Sequence, residues 1–276
     1  MTQALICATD LLALINSGHP LLLADCRFDL MKPSSGQEAW LQGHIPQAHY
    51  LNLDTDLSDK SIPLAGRHPV PGEARFTGLM QRLGVNADTW VVAYDAGDMA
   101  MAARLWWLCR YYGHTRVSVL DGGLPQWLAN GGTVTAAKPE QPPAGQFVAK
   151  PQEHLRIRHE ELIATNTLLV DSRDGARFRG ELEPIDPVAG HIPGAVNAFW
   201  KACLNESTGC MKSPAELAEH WTPILDQGKP VTVYCGSGVT ACVNLLGMAH
   251  AGLDGARLFA GSWSEWCQRG GEVETG

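Results

Sequence analysis

A cysteine followed at once by Gly-Ser-Gly, between an apolar run and a helical stretch, is a set of residue types that can build a nucleophile. The stretch Val231-Thr-Val-Tyr-Cys-Gly-Ser-Gly-Val-Thr240 begins as a β-branched run of the kind that forms a buried strand. It breaks at Cys235-Gly236-Ser237-Gly238 and reads as a helix from Val239 to Met248. Glycines in such a strand–turn–helix let successive backbone N–H groups converge at the helix N-terminus, where they attract an anion. A thiol at that mouth is expected to ionise well below its ordinary pKa of about 8.5. Cys235 is therefore the candidate nucleophile, and the loop of Gly236, Gly238, Val239 and Thr240 the candidate anion cradle. Ser237 can place its hydroxyl beside the sulfur; its plainer role is a local turn hydrogen bond.

The elements that would position this loop occur twice. The first half reads as a helix at Thr9–Ile15, a strand Leu21-Leu-Leu-Ala-Asp25 ending in Asp25-Cys-Arg27, a Gly43-His-Ile-Pro46 turn, and a strand Val91–Tyr94 running into Asp95. The second half repeats this order: a helix at His159–Ile163, a strand Leu168–Asp171 ending in Asp171-Ser-Arg173, Gly190-His-Ile-Pro193, and Val231–Tyr234 running into Cys235. Each half closes with a short strand and a helix carrying Trp127 or Trp266. Order-preserving matches of this kind indicate a duplicated domain. The expected layout is a domain over 1–135, a proline-rich linker over 136–150, and a domain over 151–276. Short apolar strands alternating with helices predict an α/β fold, each domain a mostly parallel sheet with helices on both faces. Ligands of such sheets bind beyond the carboxyl ends of the strands, where Cys235 lies. Asp95 takes the same place in the first half, which should therefore keep the fold without the reaction centre.

Composition narrows the function. With 276 residues, 45% hydrophobic and 18% charged, the chain has the make-up of a globular protein. A net charge of −8 gives no basic footprint for nucleic acid. No apolar run approaches a membrane span, and the first ten residues lack the basic start of a secretory signal. Eight cysteines without CxxC pairs or regular spacing indicate neither a disulfide framework nor a metal site, and point to a reducing cytoplasm.

Together, the paired Asp-x-Arg strands, the paired Gly-His-Ile-Pro turns and the Cys-Gly-Ser-Gly-Val-Thr-Ala loop resemble the tandem-domain sulfurtransferases of the rhodanese family, over nearly the whole chain. The loop is similar to that of the 3-mercaptopyruvate-using branch; thiosulfate-using members carry an Arg-Lys pair after the cysteine. The resemblance implies that the Cys235 thiolate takes sulfur from a small donor as a persulfide. That sulfur then passes to a thiol acceptor such as thioredoxin, or to cyanide, with no metal or organic cofactor. It also groups Ser237 with an Asp and a His of the first half, matching Asp54 and His68, for proton transfer near the substrate thiol and its enolate. Arg177, in a short extended piece Ala176-Arg-Phe-Arg-Gly180, matches the family's substrate-binding arginine, whose planar fork suits a carboxylate. A second arginine usually follows a Glu-Pro pair. Here that segment reads Glu183-Pro184-Ile185-Asp186, without it.

Other readings are weaker. A cysteine phosphatase needs an arginine six places after the cysteine, where this chain has Ala241. No histidine lies in a recognisable hydrolase signature, and loss of the loop cysteine would have favoured a non-enzymatic sulfur carrier or binding module, whereas Cys235 is present. His44, His191, Asp25, Arg27, Asp171 and Arg173 recur in both halves and read as architecture; Trp106, Trp107, Trp127, Trp263 and Trp266 read as packing. The expectation is thus a sulfurtransferase using 3-mercaptopyruvate, with thiosulfate as the alternative donor.

Overall fold

Short strands in two sheets of matching topology organise the chain in a computed structural model that describes residues 3–276. The first sheet contains β1 (Leu5–Ile6), β2 (Leu21–Asp25), β3 (His49–Tyr50), β4 (Trp90–Tyr94) and β5 (Val117–Leu120), in the spatial order β1-β5-β4-β2-β3. The second contains β6 (Arg156–Ile157), β7 (Leu168–Asp171), β8 (Val196–Asn197), β9 (Val231–Tyr234) and β10 (Arg257–Phe259), in the order β6-β10-β9-β7-β8. All the pairings are parallel, and helices flank each sheet. Strands β7 and β9 are buried along their whole length, as strands covered on both faces must be.

Two compact units result. One comprises the chain up to Asp59, Pro71–Gln152 and Asn205–Met211; the other comprises Lys60–Val70, Glu153–Leu204 and Lys212–Gly276. Segment 60–70 of the first half therefore belongs to the second unit. The proline-rich stretch 136–150 contains no helix and only Thr135 at its edge bridges to His44. It is packed rather than loose: the Phe147 N–H donates to the Val85 carbonyl (3.0 Å), and its buried ring lies edge-on to Phe76. No helix is long and apolar enough to cross a membrane, among the described residues.

The repeated motifs form the same knot twice. Arg173 grips the buried Asp171 carboxylate through Nε and Nη2, and Nη2 also donates to the Gly190 carbonyl at 2.6 Å. Tyr234, beside Asp171 in the sheet register, accepts the Ile192 N–H on its hydroxyl. Burial, then the Asp171 charge, holds that phenol well above its ordinary pKa. Arg27, Asp25, Gly43, Tyr94 and Ile45 repeat the arrangement in the first unit. The Gly-His-Ile-Pro turns are thereby tied to the strand ends. His44 and His191 put Nδ1 against the Trp40 and Phe178 carbonyls and stack on those same rings. All five tryptophans expected as packing are buried.

Asp25 is 0% exposed, so removing the Arg27 guanidinium that pairs with it leaves a buried charge unpaired. Arg27→Ala should lower stability by about 3–5 kcal/mol, read as a fall in the denaturant midpoint; a midpoint equal to wild type would show that the pair is not holding the turn.

Candidate active site

The loop that leaves β9 is held from one side by the segment after β10. The Cys235 N–H donates to Ser262 Oγ (3.1 Å), the Cys235 carbonyl accepts the Trp263 N–H (3.0 Å), and the Gly236 carbonyl accepts the Ser264 N–H (2.9 Å). Gly238 has φ +73°, and a Cβ there would lie 2.2 Å from the Ala260 carbonyl oxygen, so only glycine fits. The loop runs on through Thr240 before the helix Ala241–His250 starts, two residues later than the sequence pattern suggests. Cys235 ends up 1% exposed at the carboxyl end of its strand.

The first unit shows what this loop geometry does with an anion. There the Asp95 carboxylate accepts four backbone N–H groups, from Gly97 and Met99 on one oxygen and Met101 and Ala102 on the other, each at 3.0 Å. Burial and the neighbouring Asp98 push the acid up to about 6, against the pull of these donors. The equivalent positions after Cys235 are Ser237, Val239, Ala241 and Cys242. The Cys242 N–H goes to the Val239 carbonyl (3.0 Å); those of Ser237, Val239 and Ala241 have no protein acceptor among the described residues. In the first unit a carboxylate fills the cradle. In the second no carboxylate stands at that position.

His68 enters this site on segment 60–70. The Arg67 N–H donates to Ser264 Oγ (3.0 Å) and the Gly66 N–H to Gln268 Oε1 (3.1 Å), fixing the segment to the second unit. His68 is buried with Nδ1 at 2.7 Å from Ser237 Oγ, a contact that no spacing in the sequence specifies. Asp54 lies in the first unit, in a turn where its N–H donates to Asn52 Oδ1 (2.8 Å).

Arg177 is not on an extended piece, as expected from sequence, but on the helical turn Gly175–Phe178. The Asp174 side chain caps that turn by accepting the Ala176 and Arg177 N–H groups, the ordinary reason an Asp starts a helix. The Arg177 side chain already has partners: Nε and Nη2 clasp Glu183, and Nη2 reaches Asp186 (3.2 Å). Burial would raise the Glu183 acid, but the Arg177 bonds outweigh it and hold it below the ordinary range. Arg179 pairs with Glu181 on the surface, as expected of a bystander.

Three residues of the site escaped the sequence reading. Arg67 donates through Nη1 to Asp186 Oδ1 at 2.6 Å, so Arg67 and Asp186 belong to the same charged group as Arg177. Ser262 sits at φ +55°, a left-handed conformation uncommon for serine, where the matching residue of the first half is Gly123. Aligning the two halves position by position would have exposed that serine. Burial pushes the Cys26 and Cys109 thiols far up, Cys203 to about 12 and Cys267 to about 11. No group of three or more His, Cys, Asp or Glu side chains is arranged to hold a metal, among the described residues.

Comparison with known proteins places this arrangement. The rhodanese-like domain family model matches residues 8–130 and again 154–269. A Pseudomonas aeruginosa protein named "Probable 3-mercaptopyruvate sulfurtransferase" is 42% identical over 275 residues, covering 96% of each chain. The Gallus gallus "Thiosulfate sulfurtransferase" is 36% identical over 259 residues, covering 91% of this chain and 88% of that protein. The crystal structure of SseA from Escherichia coli superposes with a TM-score of 0.82 at 30% identity, over 95% of this chain and 100% of that one. The chain belongs to the rhodanese-like domain family, as one of its two-domain sulfurtransferases.

Asp95→Ala removes the acceptor of four backbone N–H groups, two of them buried. It should cost about 1–3 kcal/mol in denaturant unfolding while sulfur transfer by the folded protein persists; loss of transfer with unchanged stability would give Asp95 a role in the reaction instead.

Proposed function

We propose that this sulfurtransferase takes the sulfur of 3-mercaptopyruvate onto Cys235. The observation that carries this reading is the Ser237–His68 hydrogen bond two residues from the nucleophile, because this donor requires proton transfer and thiosulfate does not. The Cys235 thiolate attacks the donor's sulfur. The sulfur–sulfur bond forms as the carbon–sulfur bond breaks, and its electron pair leaves as the enolate of pyruvate. Ser237 and His68 relay the donor's thiol proton towards that enolate, giving pyruvate and a Cys235 persulfide. The persulfide is anionic, and the N–H groups of Ser237, Val239 and Ala241 can stabilise it as they stabilise the thiolate.

In the second half-reaction an acceptor thiolate attacks the outer sulfur and regenerates the Cys235 thiolate. A small dithiol protein of the thioredoxin kind is the acceptor inferred, together with cyanide as an assay acceptor. On the family pattern, Asp54 assists the proton relay. The eight cysteines without a disulfide favour a reducing, cytoplasmic setting. Thiosulfate is the second donor to test, since a thiosulfate sulfurtransferase stands among the relatives.

Cys235→Ser should abolish transfer, and wild type incubated with donor alone should gain the mass of one sulfur on Cys235; transfer retained by the variant would sink the mechanism. His68→Gln and Ser237→Ala should each lower kcat with mercaptopyruvate by roughly 10²- to 10⁴-fold. Both should leave thiosulfate transfer much less affected. Equal losses with both donors would mean that the pair only supports the loop.

A further inference from the structure

Three bonds fasten the loop of Cys235 to the segment after β10, and only one of them uses a side chain. The Trp263 and Ser264 N–H groups donate to the Cys235 and Gly236 carbonyls, backbone to backbone. The first unit repeats the former, with the Leu124 N–H on the Asp95 carbonyl at 3.0 Å. The third bond runs from the Cys235 N–H to Ser262 Oγ at 3.1 Å. The matching residue of the first unit, Gly123, has no side chain to make it.

Ser262 is fully buried and left-handed, at φ +55°, a conformation that a Cβ disfavours and glycine adopts freely. Gly123 has nearly the same φ, +59°, and a Cβ on it would lie 2.7 Å from the Asp95 carbonyl oxygen and 2.9 Å from the Gly97 nitrogen. The first unit thus runs this turn on glycine, packed tight under its loop. The second unit makes room for a side chain at the same place and keeps the strain. Its hydroxyl is held from both directions, because Oγ accepts the Cys235 N–H and donates to the Phe259 carbonyl at 2.9 Å. Strain kept in one copy of a duplicated turn, and relieved by glycine in the copy without the loop cysteine, points to the loop rather than the fold as what it serves.

We propose that Ser262 is a positioning residue for the nucleophile. With the Cys235 N–H held by Ser262 and the Cys235 carbonyl held by Trp263, both peptide planes flanking residue 235 are fixed. The direction of its Cα–Cβ bond is fixed with them, and so is the aim of the sulfur at the donor. The Ser262 hydroxyl, committed to two backbone groups, takes no part in proton transfer. Both candidate donors are attacked by the same sulfur, so Ser262 acts on persulfide formation with either. The assignment rests on Cys235 being the nucleophile and not on the choice of mercaptopyruvate.

The test is the single-turnover rate of persulfide formation at saturating mercaptopyruvate and at saturating thiosulfate, for wild type, Ser262→Gly and Ser262→Ala. Cys235→Ser serves as the blank, and folding is checked by circular dichroism and denaturant unfolding. Both variants lose the hydroxyl, but only the alanine keeps a left-handed Cβ. The expected result is a rate roughly 10-fold lower in both variants. The loss should be equal on the two donors, with the half-saturating donor concentration little changed. The glycine variant should nevertheless unfold at a higher denaturant concentration than the alanine variant, so that rate follows the hydroxyl and stability follows the strain. A wild-type rate in Ser262→Gly, rates that track the unfolding midpoints, or a loss confined to one donor would overturn the assignment. Transfer by Cys235→Ser would overturn it together with the mechanism. Should wild type turn over thiosulfate alone, the mercaptopyruvate reading fails, and the same comparison on thiosulfate decides Ser262.

Discussion

An alternating chain of charges carries the order of the sheet out to the loop of Cys235. It starts at Asp171, fully buried at the end of β7, and passes through Arg173, Glu183, Arg177 and Asp186 to Arg67. Successive partners lie 2.6–3.2 Å apart, and exposure rises from 0% at the Asp171 side chain to 22% at Arg67. Each acid except the first serves two arginines, so no member can shift alone. A buried ion pair gives little net stability for its desolvation cost, but it fixes geometry, because a broken pair leaves a charge in a medium of low dielectric. Here that rigidity holds a guanidinium over the loop of Cys235.

The duplication separates what the fold needs from what the chemistry needs. Both units keep the Asp–Arg–Gly–Tyr knot and the stacked histidine, including the unit with Asp95 in place of the loop cysteine, so these residues belong to the architecture. The units part at the cradle. Asp95 carries its own negative charge into the converging N–H groups and closes the first site permanently. Cys235 has a shorter side chain, and three of the matching N–H groups have no protein acceptor among the described residues. The second unit also replaces Gly123 by Ser262, accepting a left-handed serine so that its hydroxyl can hold the Cys235 N–H.

Segment 60–70 of the first half packs with the second unit. The first half delivers Arg67 and His68 to the loop of the second, each bonded to a residue that follows β7. A single catalytic domain of this design would lack the partner of Ser237 and one of its two loop-facing cations.

Much was determined by the sequence alone. The duplicated α/β plan with parallel sheets, the Cys235 loop and the placing of Asp95 at the matching position follow from short-range facts: strand composition, glycines where the backbone must turn, and motifs repeated in order. Gly238 is legible for the same reason, since a left-handed residue under a carbonyl leaves no other choice. Only the tertiary structure decided which distant residues meet this loop. His68 reaches Ser237 across 169 positions and Arg67 reaches Asp186 across 119, through a segment that packs on the unit opposite its own half. Nor could sequence tell that the Arg177 fork is closed on Glu183. That depends on which carboxylates reach the guanidinium first, and hydrogen-bond geometry between side chains is set by packing rather than by spacing along the chain.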